Sequence, residues 1–251
     1  MTTSPAMQWD YSDRAATYEH RADYDAAAID RLLQHVHQPQ SAHAADIGAG
    51  TGKLARPLLA AGVTVMAIEP NQNMRTVAAT ITANAGAQWL HGQAERLPLP
   101  SNAFDLACFG SSFNVVDAAQ SLSEAARILK HDGVLAILWN HRDLLDPLQA
   151  AVEAEIRAHI PDYIHGSRRE DPRACVLAKG QFVTLDSYRC AFEYATCRED
   201  YLAAWRSHAT LARAAQSQFE PIMKSIANIV PHGEFSVPYS TAVWVFGRLR
   251  I

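Results

Sequence analysis

The sequence predicts a doubly wound α/β fold on a mostly parallel sheet, and three observations predict it. Short apolar runs alternate with helix-like segments up to Asn140. The first of these runs ends in a glycine-rich turn, Gly48, Gly50 and Gly52. Two late segments alternate apolar and polar residues as half-exposed strands, which suggests an antiparallel addition at the edge of the sheet.

Each element has a local reason. Residues 12–36 are alanine-rich with apolar residues at helical spacing, giving two helices or one bent helix. HAADIG (43–48) is a short buried strand, 53–62 a helix ended by Gly62, and 63–69 a second, apolar strand. A helix at 71–86, a third strand at 87–92 and a fourth at 103–110 follow. The helix 119–133 is expected to close on Gly133, where the fifth strand, GVLAILWN, begins. Alternation of this kind implies right-handed crossovers and a sheet covered on both faces. Beyond Asn140, Asp146-Pro147 opens an amphipathic helix over 146–160, and 161–174 is polar and turn-rich. Strands at 187–197 and 239–249 bracket helical patterns that fill most of 199–229. With no internal repeat, low-complexity tract or long linker, 1–251 reads as one domain. Its parts are a helical cap (10–36), a core (40–145), an insertion with further helices and a sixth strand (146–230), and a last strand (235–251).

Composition narrows the function classes. A chain of 251 residues with 49% hydrophobic content can bury one sizeable core. Its formal net charge of −4 offers no basic footprint for nucleic-acid phosphates. The N-terminal residues lack the pattern of a signal peptide, and apolar runs such as 133–139 are too short to span a bilayer. Cys108, Cys175, Cys190 and Cys197 show no CxxC spacing, so neither a zinc site nor a disulfide frame is indicated. A cytoplasmic protein with reduced thiols, and without nucleic-acid, membrane or metal partners, is the expectation.

The glycine turn, AADIGAGTGKLARPL, is compatible at first sight with a dinucleotide, a nucleoside triphosphate or a nucleoside-linked sulfonium. A dinucleotide fingerprint starting at Gly48 needs glycine at position 53, which is Lys53. A P-loop needs glycine at Ile47 and a hydroxyl at Leu54. Asp46, Gly48, Gly50 and Gly52, spaced two apart, remain, followed by Glu69 at the end of the next strand.

This DxGxGxG spacing with its acidic partner resembles the class I S-adenosylmethionine-dependent methyltransferases. Two further stretches carry the resemblance: GQAERLPLPSNAFDLACFG (92–110), with an aromatic-Asp pair opening strand four, and EAARILKHDGVLAILWNHRD (124–143). Within that family it points to the type 11 group, which includes ubiquinone-biosynthesis and many small-molecule methyltransferases, and it covers residues 10–145 well. It implies a Rossmann-like fold whose seven-stranded sheet has one reversed strand, with an N-terminal helical cap and a helical insertion after strand five. It also implies S-adenosyl-L-methionine as cofactor and S-adenosyl-L-homocysteine as product.

The resemblance further implies roles for individual residues. Asp46, Gly48, Ala49, Gly50 and Gly52 would line the methionine side, and Glu69 would accept bonds from the ribose hydroxyls, each charge-assisted bond contributing about 1.5–3 kcal/mol at most. Pro70, Asn71 and Met74 follow that acid, where a side chain packs on adenine, although Asn71 also reads as a helix N-cap. Gln93, Ala94 and Glu95 fall at the adenine edge, with Gln93 where relatives often carry aspartate. Phe109, Gly110 and Ser111 end strand four beside the transferable methyl group. Tyr18 and Arg21 would reach the methionine carboxylate, unless Arg21 is simply an exposed helix charge.

On the acceptor side the sequence departs from its relatives. Asn114 and Val115 occupy the place of a His-Trp pair, so a histidine base is missing there. No Asn/Asp-Pro-Pro-aromatic motif or Pro-Cys nucleophile is present, which favours a small-molecule acceptor over a nucleic acid. Positioning can lower a barrier by about 7–11 kcal/mol, against about 10²- to 10⁴-fold from a general base, so a base is optional. The candidates are His141 and His165. Acceptor contacts are expected from Asn114, Tyr163, Arg168 and Arg169, unless Glu170 and Asp171 neutralise the arginine pair on a solvated face. Two other readings stay open: a cofactor-binding protein without methyl transfer, such as a non-redox cyclase or partner subunit, and a nicotinamide-dependent oxidoreductase, which Lys53 disfavours.

Overall fold

The computed structural model describes residues 15–83, 85–165 and 169–249. Its strands are β1 (His43–Ile47), β2 (Thr64–Ile68), β3 (Gln88–Leu90), β4 (Phe104–Gly110), β5 (Leu129–Arg142), β6 (Phe182–Cys197) and β7 (Glu234–Arg248). They form a seven-stranded sheet in the order β3-β2-β1-β4-β5-β7-β6. Pairing is parallel from β3 through β5, and β7 runs antiparallel to both β5 and β6, so it is the reversed strand among the described residues. The order reverses between β1 and β4, where a crevice opens at the carboxyl ends of the strands.

The helices are α1 (Ala15–Tyr18), α2 (Ala26–Leu33), α3 (Ala55–Ala60), α4 (Gln72–Thr82), α5 (Ala118–Ile128), α6 (Pro147–His159), α7 (Arg173–Leu177), α8 (Arg198–Arg206), α9 (Ala209–Ala215) and α10 (Phe219–Ile229). Asp25, Asn71, Asp117 and Asp146 cap α2, α4, α5 and α6, each side chain accepting a backbone N–H three residues on. A cap of this kind contributes about 1 kcal/mol.

Strand alternation divides the core between the two sheet faces. Ile47, Ile68, Leu135 and Ile137 pack with Leu122 and Ala125 of α5 on one face. Val65, Leu106, Ala136 and Leu138 meet Ile29 and Leu32 of α2 and Leu58 of α3 on the other. A third cluster joins α6 (Val152, Ile156), α8 (Tyr201, Trp205) and α10 (Ile222, Ile226) to Val237 and Tyr239 of β7. This cluster holds the later helices over the carboxyl end of β5.

Several boundaries differ from the sequence expectation. Helix α5 stops at Ile128 and β5 starts at Leu129, not at Gly133. The Leu129 backbone is extended (φ −66°, ψ 144°), and residues 130–133 are taken up by a register shift between the Phe104↔Leu129 and Leu106↔Val134 pairs. Gly133 serves this bulge, since an added Cβ would lie 3.0 Å from the Leu129 side chain and the Lys130 carbonyl. Strands β6 and β7 begin at Phe182 and Glu234, earlier than expected, because pairing with each other extends both. The 199–229 stretch is three helices, broken at Ser207-His208 and at Gln216, which has a φ of 48°. In the N-terminal segment, the described part is two separate helices, α1 and α2.

Candidate functional site

The turn between β1 and α3 is folded by its glycines. Gly48, Gly50 and Gly52 have φ of 69°, 58° and 89°, a left-handed backbone that other residues adopt only with strain. At Gly48 an added Cβ would also lie 2.6 Å from the Cβ of Ser112, whose hydroxyl donates to the Ile47 carbonyl at 2.6 Å. The N–H groups of Gly48 and Ala49 donate to the Ile68 carbonyl at 2.8 and 3.0 Å, locking the turn to the end of β2.

Glu69 follows directly. It is buried, and its carboxylate accepts the N–H of Gly50 at 2.9 Å and of Asn71 at 2.8 Å, one on each oxygen. Burial raises its pKa above the ordinary value, while the Asn71 and Gly50 N–H groups oppose the rise. Asp46, fully buried at the end of β1, has neither carboxylate oxygen in a hydrogen bond among the described residues. Burial, then the Glu69 charge, push its pKa up to about 7; the nearby Ala55 N–H, which falls short of hydrogen-bond geometry to either oxygen, opposes them only weakly. Two carboxyl groups thus face one glycine turn at the switch point of the sheet.

The segment 15–25 lies over this turn. Tyr18 sits 3.9 Å from where a Gly50 Cβ would be, and Arg21 stacks on the Tyr18 ring at 4.2 Å. Lys53 and Arg56 fasten the segment: Lys53 Nζ donates to the Glu19 carbonyl at 2.6 Å and lies 3.1 Å from Asp23 Oδ1, and Arg56 reaches Glu19 and Asp23, each at 2.8 Å. Buried Tyr24 meets the Ser111 hydroxyl at 2.9 Å, and Ser111 itself has a φ of 60°.

A pocket runs from Tyr18, Lys53 and Ser111 past the end of β5 to α6 and α8. Asn140, His141 and Arg142 enter it from β5, Gln149 and Glu153 from α6, and Trp205 and His208 from the α8–α9 region. The Arg142 guanidinium lies over the Trp205 ring, 4.2 Å from its centroid, with Nη1 3.2 Å from His208 Nε2. Arg169 donates to the Arg142 carbonyl at 3.1 Å. His165 Nε2 is 3.1 Å from Glu153 Oε2, and its ring meets Tyr163 edge-on at 5.3 Å.

Most of the expected residues therefore converge. Asp46, Gly48, Ala49, Gly50, Gly52, Glu69, Pro70 and Asn71 gather at one edge of the sheet, and Tyr18, Arg21, Ser111, His141, Tyr163, His165 and Arg169 line the pocket beside them. Some are placed otherwise. Phe109 is fully buried against Phe113, because strand alternation turns it into the core and away from the crevice. Arg21 is not an exposed charge: its Nε and Nη2 donate to Ser207 Oγ and O, both at 2.7 Å. Asn71 caps α4 through Met74 N–H, and Met74 is buried. Glu95 accepts the Asp117 N–H at 2.8 Å and so anchors α5, beside Gln93, which bridges Arg96, and buried Ala94. Asn114 stands in the turn Phe113–Val115 and does not line the pocket. Arg168 lies outside the described residues. Arg169 is exposed, as on a solvated face, but Asp171 pairs with Arg173 and not with it. The sequence reading missed Tyr24, Arg142, Gln149, Trp205 and His208. Arg142 alone had a usable signal, its position next to His141 at the carboxyl end of a parallel strand.

A glycine turn and a buried acid stand together at the switch point of a doubly wound sheet, the place where such folds bind ligands. Residues 45–137 match the model of the methyltransferase-domain family. An uncharacterized methyltransferase from Mycobacterium tuberculosis is 35% identical over 139 residues, 55% of this chain and 54% of that protein. The ubiquinone/menaquinone biosynthesis C-methyltransferase UbiE of Escherichia coli is 32% identical over 120 residues, 43% of this chain and 47% of that one. The chain thus spans about half the length of the curated relatives it matches. Among solved structures, a protein from Anaeromyxobacter dehalogenans assigned as a type II methyltransferase superposes with a TM-score of 0.65 at 17% identity, over 92% of this chain and 99% of that one. Geranyl diphosphate C-methyltransferase from Streptomyces coelicolor, solved with S-adenosyl-L-homocysteine and a substrate analogue, superposes with a TM-score of 0.50 at 17% identity, over 89% and 76%. These two share the fold.

Proposed function

We propose that the protein transfers a methyl group from S-adenosyl-L-methionine to a small-molecule acceptor. The observation that carries this reading is the pairing of Glu69 with the Gly48–Gly52 turn. Each Glu69 oxygen accepts one backbone N–H and keeps a further lone pair, the arrangement a ribose diol needs. Asp46 fits the same ligand, being a buried carboxylate in want of a donor, as the cationic methionine end of the cofactor would supply. The match of residues 45–137 to the methyltransferase-domain model and the fold shared with geranyl diphosphate C-methyltransferase support the reading.

The bound cofactor supplies a methyl group already activated for displacement. The chain's own contribution is positioning and exclusion of water: Tyr18 and the segment 15–25 cover the turn, and the later helices close the far side. His141 and His165, both lining the pocket, would take a proton from an acceptor if one must leave.

Calorimetry with S-adenosyl-L-homocysteine tests the reading. Glu69→Ala should weaken binding at least tenfold, about 1.4 kcal/mol; an unchanged affinity would remove Glu69 from the site. In a thermal-shift comparison the same ligand at 100 times Kd should add about 2.7 kcal/mol of stability while NAD adds none. Mass spectrometry of acceptor mixtures incubated with the labelled donor separates a transferase from a protein that only binds the cofactor.

A further inference from the structure

Charge in the pocket beyond β5 runs against the charge of the whole chain. The protein carries a net −4, yet the lining includes Arg21, Lys53, Arg142 and Arg169 against a single carboxylate, Glu153. Lys53 is matched by Glu19 and Asp23, and Arg21 is tied to Ser207. Glu153 is engaged by His165 at 3.1 Å and by Arg157 at 3.9 Å. That leaves the guanidinium groups of Arg142 and Arg169, which both line the pocket, with no carboxylate at ion-pair distance among the described residues. At the outer opening Arg189 joins them, with Asp143 and Glu193 as the acids, and Asp143 Oδ1 accepts the Leu145 N–H.

Leaving aside His141 and His165, whose ring nitrogens can act either way, the pocket's buried side-chain atoms without a hydrogen bond among the described residues are donors, Trp205 Nε1 among them. Arg142 Nε and Gln149 Nε2 are buried and make no hydrogen bond among the described residues, and both are donors. Gln149 is 1% exposed, with its Oε1 fixed by the Tyr201 hydroxyl at 3.0 Å, so its amide nitrogen is the end left over. A buried donor without an acceptor costs about 1–3 kcal/mol, and more when it is charged. Arg142 is held in place before any ligand arrives, its guanidinium 4.2 Å above the Trp205 ring centroid. Arg169 is exposed on one side, yet partial burial of the residue, with Arg189 and Arg142 adding to it, holds its pKa below the ordinary value despite Glu153 and Asp143.

We propose that the acceptor carries an anionic group, a carboxylate or a phosphate, which Arg142 and Arg169 bind with Gln149 as a neutral donor, while its body packs against Tyr163, Trp205 and Tyr239. A planar guanidinium matches the two oxygens of either group. Calling the ligand an acceptor rests on the methyl-transfer reading; the anion pocket does not.

The test is calorimetry of the full chain, with and without S-adenosyl-L-homocysteine, using benzoate, phenyl phosphate and benzyl alcohol as probes. At least one anion should bind ten times or more tighter than the neutral alcohol, and the tighter of the two tells carboxylate from phosphate. Arg142→Met combined with Arg169→Met should remove that preference while S-adenosyl-L-homocysteine binds within twofold of the parent protein. Equal binding of anions and alcohol, no binding of either anion, or full anion binding by the double variant would overturn the proposal. Should the variant not fold, the comparison of probes on the parent protein decides alone. Anion binding without S-adenosyl-L-homocysteine binding would sink the methyltransferase reading and leave the pocket standing; the reverse would overturn only the pocket.

Discussion

The glycine turn after β1 and the pocket beyond β5 lie at the same edge of the sheet and are made differently. At the turn, backbone N–H groups and two buried carboxyls, Asp46 and Glu69, act within about 25 residues of chain, and Asp46 has acceptors left over. In the pocket, side chains from β5, α6, α8 and the segment around Arg169 meet, and Arg142 and Gln149 have donors left over. A ligand cationic at one end and a ligand anionic at the other would each meet its complement. The comparison teaches that the first half depends on local backbone conformation and the second on tertiary packing.

Substitution at the turn should give the largest effect. Gly48→Ala combines a left-handed backbone with a 2.6 Å approach to Ser112, and it should cost about 2–5 kcal/mol in urea unfolding. Gly50→Ala, with only ordinary contact at 3.9 Å, should cost about 1–2 kcal/mol. Equal losses would show that steric approach is not what distinguishes the two glycines.

Charge at the turn should respond to pH. With its pKa raised from 3.8 to about 7, Asp46 keeps its proton in the folded chain where the unfolded chain has lost it. Stability of the free protein should therefore fall as pH rises through that window, and Asp46→Asn should flatten the fall, as read from unfolding at a series of pH values. Affinity for S-adenosyl-L-homocysteine should move the opposite way in the parent protein, improving between about pH 6 and 8 as the carboxyl ionises, and should change less in Asp46→Asn. Glu69, also raised by burial, titrates with Asp46, so the difference between the two proteins is the quantity to read.

The smallest effect belongs to the covering segment. Lys53→Met should change global stability by less than about 1 kcal/mol, because Asp23 is 59% exposed and burial already lowers the lysine's pKa. Hydrogen exchange in residues 19–23 should nevertheless quicken. If it does not, Arg56 alone secures the segment.

The same division explains what the sequence could and could not tell. The central strands were legible because each is a short apolar run bounded by a turn, as in HAADIG and VTVMAIE. The turn was legible because its function lies in glycine spacing and one acid. Where α5 passes into β5, the polar KHDG run hid a bulge, since register shifts follow from the partner strand. Phe109 was assigned to the crevice by adjacency, but the two-residue period of a strand turns it inward. Arg142 and Gln149 escaped notice because their roles depend on Trp205, His208 and Tyr201, more than 50 residues away.

The reversed strand has a consequence for how this site can vary. Since β6 ends opposite the start of β7, at the Cys197↔Glu234 pair, the chain leaves and re-enters the sheet at a single edge, the one that carries Arg142. Helices α8 to α10 are thus a detour between two neighbouring strands that already meet, with no crossover to complete. Such a detour can be shortened, lengthened or exchanged without shifting any strand register, so the shape of the pocket beyond β5 is separable from the foundation that holds the glycine turn.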